Sequence, residues 1–207
     1  EKEFDEALQL CPSFFGEGMQ QAIILNNNAM LLHVMGRYED AFALMNLAMK
    51  SSEVAPKKFL KSGENSFDNR KFRANLATMY QLSGRYEEAE QNFLAIKKVF
   101  ENRGQSKNIE YAGLLNQLGI LYIQMGKNEL VRDLLVQSGE IYRKRFGDQN
   151  VYFAKVLNDL GNFYRQTGNF EGAEKQLTRA YEVRGVILEP LHPDYIRTQE
   201  DLAILYW

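Results

Sequence analysis

Apolar residues recur along this chain with helical spacing. Leu157, Leu160, Gly161 and Tyr164 stand at i, i+3, i+4 and i+7, and Leu115, Leu118, Gly119 and Tyr122 repeat the pattern. Each set is one face of an amphipathic helix. A second helical pattern follows, as in Phe170, Ala173, Leu177 and Ala180, with an interior rich in Glu, Gln and Ala and free of proline. Between the two lies a recurring phrase: Gly36-Arg37-Tyr38-Glu39-Asp40-Ala41, Gly84-Arg85-Tyr86-Glu87-Glu88-Ala89, Gly126-Lys127-Asn128-Glu129-Leu130-Val131 and Gly168-Asn169-Phe170-Glu171-Gly172-Ala173. The four glycines are 48, 42 and 42 residues apart. This interval predicts a repeated helical hairpin, with glycine supplying the left-handed residue that ends the first helix. Such units stack into a solenoid in which each contacts chiefly its sequence neighbours, so function is to be sought on a surface.

Small residues in mid-helix, Ala29, Ala77, Gly119, Gly161 and Ala203, require a further reason, since glycine there costs about 1 kcal/mol relative to alanine. Close approach of a neighbouring helix supplies one. At these residues the sequence resembles the tetratricopeptide repeat, whose signature is matched by Leu157, Leu160, Gly161, Tyr164, Ala173, Leu177 and Ala180, and by Leu76, Ala77, Tyr80, Ala89 and Phe93. The interval of 42 and the ending Leu188-Glu189-Pro190-Leu191-His192-Pro193-Asp194-Tyr195 resemble the long-repeat subclass typified by kinesin light chain. The resemblance implies an all-α fold, a right-handed superhelical solenoid of antiparallel helix pairs. The expected organisation is a truncated second helix at 1–14, repeats at 22–51, 70–104, 112–146 and 154–189, an inserted loop at 52–69, and a first helix without its partner at 196–207.

Several features depart from the pattern. In the third repeat Asn128, Val131 and Ser138 replace an aromatic residue and two alanines, which predicts looser packing there. Asn28 occupies a leucine position, and as a buried amide it should bond to neighbouring backbone. Phe4, Ala7, Leu8, Leu10 and Pro12 follow the spacing that closes a unit, while Leu202, Ala203 and Tyr206 follow the spacing that opens one. The chain thus reads as a slice of a longer protein, or as one whose helices borrow partners from another molecule, and end-to-end self-association is expected. The segment from Ser51 to Asn69, with Pro56, Gly63, Lys57, Lys58 and Lys61, reads as a polar loop.

Composition narrows the function classes. The 207 residues are 45% hydrophobic and 25% charged, enough for a buried core, and a soluble chain is expected. A net charge of −2 and a pI of about 5.8 offer no bulk attraction to nucleic acid or anionic lipid, and no basic stripe with interleaved aromatics is present. No apolar stretch reaches the roughly 18 residues that cross a bilayer. Nucleic-acid and membrane partners are therefore not expected, and the anticipated location is cytoplasmic. A single cysteine, Cys11, and two distant histidines, His33 and His192, supply no zinc motif, and Phe15-Gly16-Glu17-Gly18 lacks the lysine of a phosphate loop. The expectation is a non-enzyme without metal or cofactor.

By the same resemblance the inner wall of the solenoid is lined by the first helix of each repeat. Helical geometry then selects Ile23, Asn26, Met30 and His33 in the first repeat, and Lys71, Ala74, Thr78 and Gln81 in the second. Gly113, Asn116, Ile120 and Ile123 follow in the third, Lys155, Asn158, Asn162 and Arg165 in the fourth, and Arg197, Glu200 and Ile204 in the last helix. From this wall the candidate peptide-binding residues are Asn26, Met30, His33, Lys71, Thr78, Asn116, Ile120, Lys155, Asn158, Asn162, Arg165 and Arg197, together with Asn75, displaced by one residue. The recurring asparagines have two readings: a ladder that holds an extended backbone, or hydrogen bonds between helices of the stack. Lys71, Lys155, Arg165 and Arg197 outnumber Glu200, which favours an acidic peptide. The first function reading is a protein-interaction scaffold with a concave groove. The second is a regulatory region of a larger signalling enzyme, caspase-like or kinase.

Overall fold

The repeated glycines end helices as their spacing predicts. Gly36, Gly84, Gly126 and Gly168 have φ of 78°, 74°, 72° and 78°. The amide after each glycine donates back to the last full turn: Arg37 N to Leu32 O at 2.9 Å, Arg85 N to Tyr80 O at 2.8 Å, and Lys127 N to Tyr122 O and Asn169 N to Tyr164 O at 2.9 Å each. These bonds satisfy carbonyls that a helix end otherwise leaves open. Gly104, at φ 65°, makes a fifth turn of the same kind, with Gln105 N on Phe100 O at 2.8 Å.

This computed structural model describes residues 18–54 and 69–207, and among them are nine helices and no strand. The helices are α1 (Met19–Val34), α2 (Tyr38–Val54), α3 (Arg70–Leu82), α4 (Tyr86–Asn102), α5 (Ile109–Gln124), α6 (Asn128–Phe146), α7 (Val151–Gln166), α8 (Phe170–Ile187) and α9 (Pro193–Tyr206). Odd-numbered helices lead the hairpins. The expected helix at 1–14 lies outside the described residues, as does most of the expected loop. Its first residues, through Val54, instead extend α2, where Ser52 is buried and its Oγ donates to Met49 O at 2.6 Å. Side-chain caps start α5, α7 and α8: Asn108, Asn150 and Asn169 accept from Glu110 N, Phe153 N and Gly172 N. His192 Nδ1 accepts from Asp194 N at 3.1 Å, with Pro193 in the first turn of α9.

The chain divides into two compact units, Glu1–Ile96 and Lys97–Trp207. In the first, Ala22, Leu25, Ala29 and Leu32 of α1 meet Ala41, Phe42, Met45 and Ala48 of α2, with Phe72, Leu76 and Met79 of α3 joining the same cluster. In the second, the small residues of the leading helices explain themselves. A Cβ on Gly119 would stand 2.7 Å from Leu135 Cδ2, and one on Gly161 would stand 2.6 Å from Leu177 Cγ. The knobs Leu135 and Leu177 stand nine places after their repeat glycines, and Met45 and Phe93 at the same count from Gly36 and Gly84 are likewise fully enclosed.

Two expectations need correction. The third repeat is not looser: Val131, Leu135 and Ser138 are fully buried, and Ser138 Oγ donates to Ala112 O at 2.7 Å, so the hydroxyl has a backbone partner inside the contact. Asn28 is only half-buried, so the leucine position it fills lies nearer the surface of α1 than its neighbours Leu25 and Ala29. The enclosed amide of α1 is Asn26.

Candidate functional site

Counting back ten residues from Gly36, Gly126 and Gly168 gives Asn26, Asn116 and Asn158, which are 8%, 5% and 3% exposed, while the same count from Gly84 gives Ala74. Their amides face the next leading helix, and the residue that meets them stands one place further along its own repeat. In the first unit Asn75 Nδ2 of α3 donates to Asn26 Oδ1 at 2.8 Å. In the second, Asn116 Nδ2 of α5 donates to Asp159 Oδ2 of α7 at 2.9 Å, and Asn158 Nδ2 of α7 donates to Asp201 Oδ2 of α9 at 2.6 Å. Asn75 is therefore not a displaced copy of the asparagine row. It occupies the partner position, equivalent to Asp159 and Asp201, but there it donates where they accept. These bonds favour helix-to-helix pairing as the role of the asparagines, and the carboxylates that complete the rungs are the residues the sequence pattern alone did not single out. A spacing of one repeat plus one residue between amide and carboxylate is the signal that identifies them.

The other candidates divide between partnered and exposed side chains. His33, selected as a wall residue, is 6% exposed and wedged against α3, its Nε2 3.1 Å from Met79 O and 3.0 Å from Ser83 Oγ. Since a carbonyl only accepts, Nε2 carries the proton. The ring stands edge-on to Tyr38, centroids 5.0 Å apart. Thr78 Oγ1 donates to Ala74 O within its own helix at 3.0 Å. Met30 is half-buried and packs on the first core cluster, and Lys71 is exposed. In the second unit Ile120 is half-buried, while Lys155 and Arg197 are exposed at the same repeat position of α7 and α9. Lys155 Nζ donates to Asn116 Oδ1 at 2.7 Å and pairs with Asp159 at 2.6 Å. Asn162 Nδ2 donates to Asp201 Oδ2 at 2.7 Å, and Arg165 Nη2 to Asn162 Oδ1 at 3.3 Å.

Behind this row lies a buried cation. Arg184 of α8 is 3% exposed and donates through Nη1 to Asn158 Oδ1 at 3.1 Å, to Asp194 O at 2.7 Å and to Thr198 Oγ1. Burial pushes its pKa down, against the pull of Asp194, Asp159 and Asp201. Elsewhere in this unit Lys97 holds the Glu101 carboxyl below its ordinary range through a hydrogen bond, and burial beside Glu101 pushes the Tyr111 phenol up to about 12. Among the described residues no three His, Cys, Asp or Glu side chains gather as a metal site, and no helix is long and apolar enough to cross a membrane.

Known proteins share this helix-pair repeat. The tetratricopeptide repeat family model matches residues 70–144 and 152–207, together more than half of the chain. No curated protein matches it in sequence. Among solved structures, BtubC (BKLC) from P. vanneervenii is similar over 99% of this chain and 79% of its own, at 20% identity and a TM-score of 0.80. A Podosopora anserina putative kinesin light chain with nearly identical TPR-like repeats is similar over 88% of this chain and 83% of its own, at 20% identity and a TM-score of 0.69. A form of that protein carrying one substitution gives 19% identity and 0.71 over the same shares. The fold class is the all-α class of helix-pair solenoids, the structural neighbours are kinesin light chain-like, and repeats of this kind are generally protein-interaction scaffolds. The chain belongs to the tetratricopeptide repeat family.

Proposed function

We propose that this chain is a non-catalytic scaffold that binds an acidic peptide or helix of a partner protein along the leading helices of its second unit. The observation that carries this reading is the pair Lys155 and Arg197. Both are exposed at one repeat position on neighbouring helices, with Arg165 half-buried on the same row. The asparagines beneath them are occupied by the rungs to Asp159 and Asp201 and support the wall, so recognition falls to Arg197 and to the ammonium donor that Lys155 keeps beyond its bonds to Asn116 and Asp159. Complementary charge of this kind raises the rate of encounter and selects partners by sign. Titration against immobilised peptide libraries of acidic and of basic composition tests the reading. Selective capture of acidic peptides, weakened by added salt and lost on Lys155→Ala with Arg197→Ala, is expected; equal capture by wild type and double variant would refute it.

A further inference from the structure

Arg37, Arg85 and Arg179 each pair with a carboxylate three residues further along the chain, Asp40, Glu88 and Glu182, at 2.7, 2.7 and 3.0 Å. Arg165 of α7 is denied such a partner. Gly168 and Asn169 stand three and four residues after it, and Asn162 and Gly161 three and four before. Its hydrogen bond runs from Nη2 to Asn162 Oδ1 and is long, at 3.3 Å. Its Nε is closed off from solvent and has no hydrogen-bond partner, the only buried side-chain nitrogen or oxygen among the described residues of which this is true.

The surroundings explain how the arginine is held. A carboxylate only accepts, so Asn162 turns Nδ2 to Asp201, at 2.7 Å, and is left to offer Oδ1 to Arg165. In repeat register Asn162 and Arg165 correspond to Ile120 and Ile123 of α5, and to Ile204 of α9 and Trp207 just beyond it. Both adjoining leading helices therefore carry apolar residues at this level, and poor solvation strengthens any ion pair formed there. The edge of a guanidinium that takes a carboxylate side-on, through two parallel hydrogen bonds, is the one formed by Nε and Nη2. In Arg165 that edge holds an unpaired nitrogen and a long bond to a neutral amide.

We propose that Arg165 is the specificity-determining residue of the peptide site: its guanidinium turns away from Asn162 and takes an Asp or Glu side-chain carboxylate of the partner through Nε and Nη2. This role rests on the acidic-peptide reading and gives that site a side chain that reads carboxylate shape as well as charge. A lysine in its place keeps the charge and loses the fork. The test uses the full chain and an octamer of glutamate, acetylated and amidated at its ends so that only side-chain carboxylates are offered. In proton–nitrogen correlation spectra the Arg165 Nε–H signal, identified by its loss in Arg165→Lys, should shift on titration with this peptide and stay in place with the glutamine octamer. By calorimetry Arg165→Lys should bind the glutamate octamer about tenfold more weakly at an unchanged Tm. Binding that Lys155→Ala with Arg197→Ala weakens, but that leaves the Nε–H signal in place or is retained in full by Arg165→Lys, would overturn this role and leave the acidic-peptide reading standing. Failure of the wild type to bind the glutamate octamer would overturn both.

Discussion

Gly161→Ala separates two physical effects of opposite sign. Helix propensity alone predicts stabilisation by about 1 kcal/mol, since the residue lies in the interior of α7. The structure predicts the reverse. A Cβ at this position would be 2.6 Å from Leu177 Cγ, 2.9 Å from its Cδ2 and 3.2 Å from its backbone N. The side chain could turn, but the backbone nitrogen moves only if α8 moves as a whole. Overpacking of this kind costs about 1–3 kcal/mol. The two terms leave a net loss of up to about 2 kcal/mol, which for a chain of this length lowers Tm by as much as about 8 °C. Urea unfolding followed by circular dichroism measures the change. The variant Leu177→Ala supplies an internal check: alone it costs about 2–5 kcal/mol, and combined with Gly161→Ala it should cost less than the sum, because the added methyl then fills space that the leucine vacates. A Gly161→Ala protein more stable than the wild type would show that close approach is not the reason for glycine here.

Two other outcomes follow from the second unit. Asn158→Ala removes the acceptor used by Arg184 and Thr198 and a donor to Asp201, so stability should fall by about 1–3 kcal/mol in the same urea assay; an unchanged midpoint would mean that the rung is not formed. The Tyr111 phenol is raised from 10.0 to about 12, so its share of stability is complete below pH 10 and disappears as pH climbs to about 12; Tyr111→Phe should flatten the loss of Tm across that window.

The hairpins were legible in the sequence because the residues that make them act locally. A glycine at φ near +75° is dictated by one turn, and an alanine or glycine facing a knob by one pair of helices. The asparagine row was visible for the same reason, as a residue type returning at one distance from the glycine. The choice between its two readings was not, because Asn116 is completed by Asp159, an acceptor from another repeat that carries no mark of its own. His33 shows the same limit. Helical phase placed it on the wall with Met30, yet its ring is taken up by Met79 O and Ser83 Oγ, groups contributed by α3 and the turn after it. Arg184 stands where the two preceding repeats carry Phe100 and Tyr142, so no recurring residue type marked its polar contact with Asn158 and Thr198.

The turn glycines have a consequence for engineering. Since α1, α3, α5 and α7 stop with the same backbone hydrogen bond after their glycines, the number of residues separating a side chain from its glycine serves as an address shared by these four repeats. A designer who wishes to transplant a recognition residue from α5 to α7, or to splice in a whole hairpin, needs only to preserve that count and to supply the matching amide or carboxylate on the adjoining repeat.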